Sequence, residues 1–506
     1  MQRVTNMLSG IIKKNALLLL KIDWRLITFI FAISIISTGL LTVPRFNDGI
    51  SHIRVAQLWY ESGSMPSSFD GEPFRESFLW YFLVQALGHV VNGNIPLTAQ
   101  IIQCFFYTGI LILTYKITYI RTNSDLTAKC ALIFAASTPM LNVTSILCFI
   151  DVICAFFVLL SIFFLMKKRF FSAILACVGV WYSKRTGVIE LVPFFIVFSI
   201  YIYLHTGKNI KRSLISLCTF ATIFLVIILP GVIRMYVCIG MDDAYARSFD
   251  PAKIQTPENV LITHSGLAAK GLPINDMLIW TGGVFACLAF FIIISLALGR
   301  YRRKIILFWE KNYTLPFIFI ITIGIISSFS LGRLTIRYWS IVIAVGVISL
   351  TASLMKTPLK GLIIILTFVA LIQQSLILAY VYKKRRNSAS DTQVLRVLKN
   401  IPEDRKIIWN ETRYGTFYLK RKIFWHDKLS FLLSQKNKKK MHFDNIGAIV
   451  VTKRFLYQYK GKFYDRGIPF FLYEKYKKCR QMQLALDNND YSVFILTGDK
   501  SVNHAP

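Results

Sequence analysis

The stretch RFNDGISHIRVAQLWYESG, residues 45–63, followed by FDGEPFRESFLWYFLVQ, residues 69–85, decides how this chain is read. It is polar, and it separates two apolar runs. Five carboxylates sit in it: Asp48, Glu61, Asp70, Glu72 and Glu76. Asp48 stands only a few residues beyond the first apolar run. A carboxylate held at that depth is costly unless something pairs or uses it. The stretch therefore marks chemistry at a membrane surface.

Working outward, the rest of the chain fits that reading. Of its 506 residues, 55% are hydrophobic and 14% aromatic, and the mean hydropathy is +0.52. Apolar runs near bilayer length recur from Leu26 to Tyr382, which identifies an integral helical membrane protein. The first run follows Arg3, Lys13, Lys14, Lys21 and Arg25 and lacks a small-residue cleavage site after it, so it reads as a retained span. Eleven spans are expected, at 26–43, 97–120, 127–147, 152–166, 170–183, 187–205, 213–236, 276–299, 314–331, 337–355 and 360–382. The segment 78–91 is amphipathic and too short to cross, and is expected to lie along the interface.

The formal net charge is +33. Its distribution argues against a nucleic-acid partner. With the N-terminus in the cytoplasm, the inner segments before Lys383 carry a net +18 and the outer segments a net −1. The positive-inside rule supports that orientation, and anionic headgroups attract the inner charges. It also gathers nearly every carboxylate of the membrane region on one face, in two large loops at 44–96 and 237–275. Residues 383–506 form a separate polar domain of net charge +16. Runs at 406–409, 447–451 and 491–496 read as strands and 391–400 as a helix, giving a small α/β domain. Eleven spans put this domain outside; ten or twelve put it inside. Lys383, Lys384, Arg385 and Arg386, directly after the last span, favour the inside, but long domains cross largely regardless of charge. The outside is the expectation.

Nine cysteines are scattered without metal spacing and read as buried small hydrophobes. Cys238 and Cys479 are a minor candidate pair. Asn142, Asn312 and Asn410 match the glycosylation acceptor triplet, a pattern that arises often by chance. Trp80, Tyr81 and Phe82 read as an interfacial aromatic anchor, and the lysine run at 436–440 as a solvated loop.

The loop also resembles a family. Asp48, His52, Arg54 and Gly63, then Gly71, Pro73, Glu76, Trp80 and Tyr81, look like the first-loop pattern of the GT-C glycosyltransferases. These use lipid-linked sugars; protein O-mannosyltransferases and the aminoarabinose transferase of lipid A are members. Asp151, then Lys184, Gly187 and Pro193, then Arg337 and Tyr338, resemble later family elements in the right order. The similarity spans most of residues 26–355. The chain departs from the pattern at Gly49, at Ser77-Phe78 where the family has Lys-Pro, and after Tyr338, where the proline is missing.

The resemblance implies a polytopic GT-C fold of about eleven transmembrane helices carrying residues 1–382, with a soluble C-terminal α/β domain at 383–506. It implies an inverting transfer of sugar from a polyprenyl phosphate to a hydroxyl. Such a reaction needs one general base within reach of the acceptor, and Asp48 is the candidate. Arginine forks and lysines suit the leaving phosphate; Arg337, Tyr338, Arg54, Lys184 and Arg185 are the candidates. Asp151 would support the site, alone or paired with one of those cations. Glu76 matches a metal-holding carboxylate of the family, and His264 sits where some members supply a histidine, so a divalent metal is the one cofactor considered. The expected partners are a polyprenyl-phosphate sugar, a glycan acceptor and the bilayer.

The expected place is a bacterial inner membrane with the site and the C-terminal domain periplasmic. Size and composition look like the phage-borne glucosyltransferases that convert O-antigen serotype, which would make the sugar glucose and the acceptor O-antigen. The alternatives are a GT-C enzyme acting on lipid A or protein, and a polysaccharide flippase or transporter. Transporters usually show repeat symmetry and midplane polar groups, and neither is visible in the sequence.

Overall fold

The computed structural model describes residues 47–66, 68–69, 72–73, 78–146, 148–184, 187–239, 303, 340–355, 371–372, 375, 389–409, 415, 418–420, 423–424, 446–453, 456–457, 468–479 and 482–496. In chain order these form α1 (Asn47–Ser62), β1 (Ser68–Phe69), β2 (Glu72–Pro73), α2 (Leu79–Val90), α3 (Ile95–Thr122), α4 (Asp125–Ala136) and α5 (Pro139–Ile146). Next come α6 (Asp151–Met166), α7 (Phe170–Ser183), α8 (Gly187–His205), α9 (Ile210–Ile239) and α10 (Ser340–Leu354). The remainder comprises α11 (Ala389–Lys399), β3 (Lys406–Trp409), β4 (Ile423–Phe424), β5 (Ile446–Thr452), β6 (Leu456–Tyr457), β7 (Ile468–Pro469), α12 (Phe470–Lys478), β8 (Met482–Asp487) and β9 (Tyr491–Leu496).

The chain divides into two compact units. One comprises residues 1–41, 75–254 and 273–380; the other comprises 42–74, 255–272 and 381–506. The first polar loop is thus shared. Its helix α1 belongs with the C-terminal residues, and its helix α2 belongs with the apolar helices.

The first unit is helical. Spans expected at 170–183 and 187–205 coincide with α7 and α8, and 152–166 with α6 less its first residue. The expected span 127–147 is instead broken into α4 and α5 at Ser137-Thr138. Pro139 explains the break: it supplies no N–H to continue α4 and its fixed φ suits the first position of a new helix. The Ser137 and Thr138 hydroxyls each donate to the Phe134 carbonyl, satisfying one carbonyl that the broken ladder leaves free. The spans at 26–43, 276–299 and 314–331 lie outside the described residues, as does nearly all of 360–382, and with them the total of eleven. Helices α3 and α9 are each long and apolar enough to cross a membrane; α3 is mostly buried and α9 mostly exposed.

Glycines let the helices approach. Gly109 on α3 faces Phe156 of α6, and Gly179 on α7 faces Phe157 of α6; a β-carbon at Gly109 would sit 2.4 Å, and one at Gly179 2.5 Å, from a ring carbon. Two adjacent phenylalanines on α6 therefore key into notches on opposite neighbours. Without a hydrophobic drive between helices in lipid, such shape fitting does much of the joining.

The second unit contains a mixed five-stranded sheet in the order β4-β3-β5-β9-β8. The β3–β4 and β3–β5 pairs are parallel and β5–β9 and β8–β9 antiparallel. Helix α11 covers one face, where Val394, Leu395 and Leu398 join Ile407, Trp409, Ala448, Val450, Tyr491 and Val493. Helix α12 covers the other, where Tyr473 and Tyr476 join Ile408, Ile449, Val451 and Phe494. Apolar side chains on both faces of β5 follow from that double cover. The strands at 406–409 and 491–496 stand where the alternation put them. Helix α12 and strand β8 have no clear periodicity in the sequence, because Glu, Lys, Gln or Asp interrupt their apolar residues.

The aromatic anchor is corrected. Trp80 and Tyr81 are 0% exposed and only Phe82, at 44%, is open. Three consecutive residues on a helix point about 100° apart, so one helix cannot hold all three at an interface. Asn142 is also fully buried, with its amide donating to the Tyr107 hydroxyl at 3.4 Å. It is no glycan acceptor in the folded chain.

Candidate active site

In the helical unit the expected site residues that the structure describes are Asp151 and Lys184, and it brings them together. Asp151 opens α6, and Lys184 follows directly on the last residue of α7. These antiparallel neighbours put the start of one beside the end of the other. The Lys184 ammonium donates to Asp151 Oδ1 at 2.6 Å. Asp151 is 3% and Lys184 5% exposed. Asp151 thus pairs with one of the cations, as the sequence allowed. The pair leaves no bare charge in a low-dielectric setting.

The end of α7 is itself fixed. The Tyr182 hydroxyl donates to the Ile227 carbonyl of α9 at 2.7 Å. That carbonyl lies one turn before Pro230, inside α9. Gly231 beside it leaves room for the rings of Trp181 and Tyr182. Tyr182 also meets Phe78, just before α2, edge to face with centroids 4.8 Å apart. One tyrosine therefore ties α2, α7 and α9 together two residues before Lys184. Nothing local in the sequence links Phe78 to Tyr182, so this tie was not legible before the fold.

Close by in the fold lies a buried polar group on α3, α5 and the turn before α6. Gln103 donates through Nε2 to the Phe149 carbonyl at 3.0 Å, and Ser145 donates to the Gln103 carbonyl at 3.4 Å. The Gln103 and Asn142 side-chain oxygens are buried without a hydrogen-bond partner among the described residues.

In the second unit, Asp48 is the second residue of α1. Arg54 lies further along the same helix and is buried. Its Nη1 donates to Glu61 Oε2 at 3.3 Å, and Gln57 Nε2 donates to Glu61 Oε1 at 2.9 Å. The Arg54 Nε is buried and has no hydrogen-bond partner among the described residues. The spacing of Arg54, Gln57 and Glu61 at three and four residues sets them on one helix face. Glu61 is thus the partner of a candidate phosphate-binding arginine, a role the sequence reading did not give it. Glu76, Arg185, His264, Arg337 and Tyr338 lie outside the described residues. Among the described residues no three metal-ligating side chains gather.

No known family profile and no curated protein matches the sequence. Solved structures match the fold. ArnT from Cupriavidus metallidurans in the apo state superposes with a TM-score of 0.60 over 92% of this chain and 95% of ArnT, at 11% identity. The same protein bound to undecaprenyl phosphate gives 0.59 over 92% and 96%, at 10% identity. The oligosaccharyltransferase AglB from Archaeoglobus fulgidus, in complex with an inhibitory peptide and a dolichol-phosphate, gives 0.58 over 85% of this chain and 69% of AglB, at 12% identity. The chain therefore has the GT-C fold that these polytopic helical membrane proteins share.

Proposed function

We propose that this chain is an inverting glycosyltransferase that moves a sugar from a polyprenyl-phosphate carrier to a hydroxyl of a cell-surface glycan at the outer face of a bacterial inner membrane. The observation that carries the proposal is a fold shared end to end with a protein seen bound to undecaprenyl phosphate. The carboxylate-rich first loop adds to it. In this reading the acceptor oxygen attacks the anomeric carbon, the bond from that carbon to the phosphate oxygen breaks, and Asp48 takes the hydroxyl proton. Arg54, Lys184, Arg185, Arg337 and Tyr338 hold the departing phosphate, and Asp151 keeps Lys184 in place. Glu76 and His264 would hold a divalent metal if one binds, and no step here depends on it. The sugar is proposed to be glucose and the acceptor O-antigen, from the general likeness to serotype-converting enzymes.

The test is transfer by purified protein in proteoliposomes. Radiolabelled polyprenyl-phosphate glucose is offered with O-antigen on its lipid carrier, with lipid A, or with a peptide. Transfer to O-antigen and an Asp48→Asn variant slower by about 10²–10⁴-fold are expected. Transfer to lipid A or peptide alone replaces the acceptor. Carrier crossing the bilayer with no transfer to any acceptor makes the chain a flippase instead.

A further inference from the structure

At the end of the helical unit opposite Asp151 and Lys184, two tight turns lie side by side. One joins α6 to α7 through Lys167, Lys168 and Arg169; the other joins α8 to α9 through Thr206, Gly207, Lys208 and Asn209. Phe170 fixes their neighbourhood. Its ring lies 5.1 Å from that of His205 at the end of α8 and 6.2 Å from that of Phe220 on α9. Lys167, Lys168, Lys208, Lys211 and Arg212 are exposed and Arg169 partly so. Among the described residues none of these six has an ion-pair partner. The only carboxylate in the sequence between Lys167 and Arg212 is Glu190, near the opposite end of α8.

The backbone adds an independent sign. Lys168 and Lys208 both have positive φ, 56° and 62°. Both helices close with a Schellman-type bond, from Arg169 N–H to the Phe164 carbonyl at 2.9 Å and from Lys208 N–H to the Tyr203 carbonyl at 3.0 Å; Lys168 takes the left-handed closing position of the first, whereas in the second Gly207, with φ 70°, takes it and Lys208 continues left-handed behind it. Glycine or asparagine is favoured at such left-handed positions, and a lysine there carries a steric penalty. Two turns accept that penalty at the same end of the molecule, and in both the result is an exposed ammonium. Directly beneath, Tyr203 and Leu204 of α8 and Ile210, Leu214 and Ile215 of α9 are exposed apolar groups. Helices α6 and α7, with 16 and 14 residues, span only about 21–24 Å at 1.5 Å per residue. That falls short of the roughly 30 Å of a bilayer core, so flanking cations reach toward headgroups.

We propose that these two turns form a binding site for an anionic phospholipid of the cytoplasmic leaflet, with its phosphate among Lys167, Lys168, Lys208 and Lys211 and its acyl chains along Leu204, Leu214 and Ile215. The proposal rests on the helical membrane fold alone and stands whether or not the chain transfers sugar. A phospholipid fits better than free phosphate because the cations border lipid-facing apolar side chains.

The test needs no activity. Full-length protein is reconstituted in phosphatidylcholine with a minority of phosphatidylglycerol, released into mild detergent and weighed by native mass spectrometry. The wild type is expected to retain phosphatidylglycerol over phosphatidylcholine, and to lose it as salt rises. The variant K167Q/K168Q/K208Q/K211Q is expected to lose that preference. The charge-matched variant K399Q/K406Q/K420Q/K478Q, altered on exposed lysines elsewhere, is expected to keep it. Unfolding midpoints in pure phosphatidylcholine are expected to match across all three proteins. Equal retention of both lipids by the wild type, retention indifferent to salt, or equal loss in both variants would overturn the proposal.

Discussion

Ile50 of the first polar loop and Trp409 of the C-terminal sheet are buried in one apolar cluster. Residues that share a dry core cannot sit on opposite sides of a bilayer. The first polar loop and the C-terminal domain must then occupy the same face. Single cysteines at Glu61 and Lys399, both exposed, are expected to react with a membrane-impermeant maleimide from the same side of intact cells, in a background otherwise free of cysteine. Labelling from opposite sides would break this shared placement, and with it the proposal that both segments are periplasmic.

The Asp151–Lys184 pair sets up a second expectation. Removing one partner of a buried ion pair strands the other charge, at a cost of about 3–5 kcal/mol. Asp151→Asn and Lys184→Met are each expected to lower the unfolding midpoint in detergent markedly. The double variant Asp151→Leu with Lys184→Met is expected to regain most of that loss, because no charge remains buried. If the double variant is as unstable as either single one, the pair is not an energetic unit.

Gly109 and Gly179 give a third. Alanine at either position would drive a methyl group into a phenylalanine ring of α6. Overpacking of a close helix contact costs about 1–3 kcal/mol. Pairing Gly109→Ala with Phe156→Leu is expected to return part of it, as a double-mutant cycle would read. Full additivity of the two changes would mean that the contact is not made.

Asp487 offers a pH dependence outside the membrane region. Partial burial opposes its charged form, but hydrogen bonds from Lys453 and Ser492 outweigh this and hold the carboxyl below its ordinary range. The bonds measure 2.8 Å to Lys453 and 2.5 Å to Ser492. A carboxyl with a lowered folded pKa contributes stability that is complete above its unfolded value, near 3.9. That contribution is lost as pH falls through the folded value. The group is 42% exposed, so solvent screening keeps the contribution within about 1 kcal/mol. Asp487→Asn is expected to be slightly less stable than wild type at neutral pH, and the gap is expected to close below about pH 4. A gap that widened in acid would reverse the sign.

By itself, the sequence determined what is local. Helices α6, α7 and α8 stand where runs of apolar residues end in Lys, Arg or His, because a bilayer-spanning helix is a continuous chemical signal along the chain. Strands β3 and β9 stand where β-branched and aromatic residues cluster. The order of the family-like residues was likewise legible, and the fold it implied is the one the solved structures share.

The tertiary structure alone decided who meets whom. Lys184 as the partner of Asp151, Tyr182 as the tie between three helices, Glu61 beside Arg54, Trp80 in the core and Ile50 among the C-terminal strands each depend on packing between segments. Side chains distant in sequence meet only once loop closure and burial have chosen one arrangement among many, and no local periodicity encodes that choice.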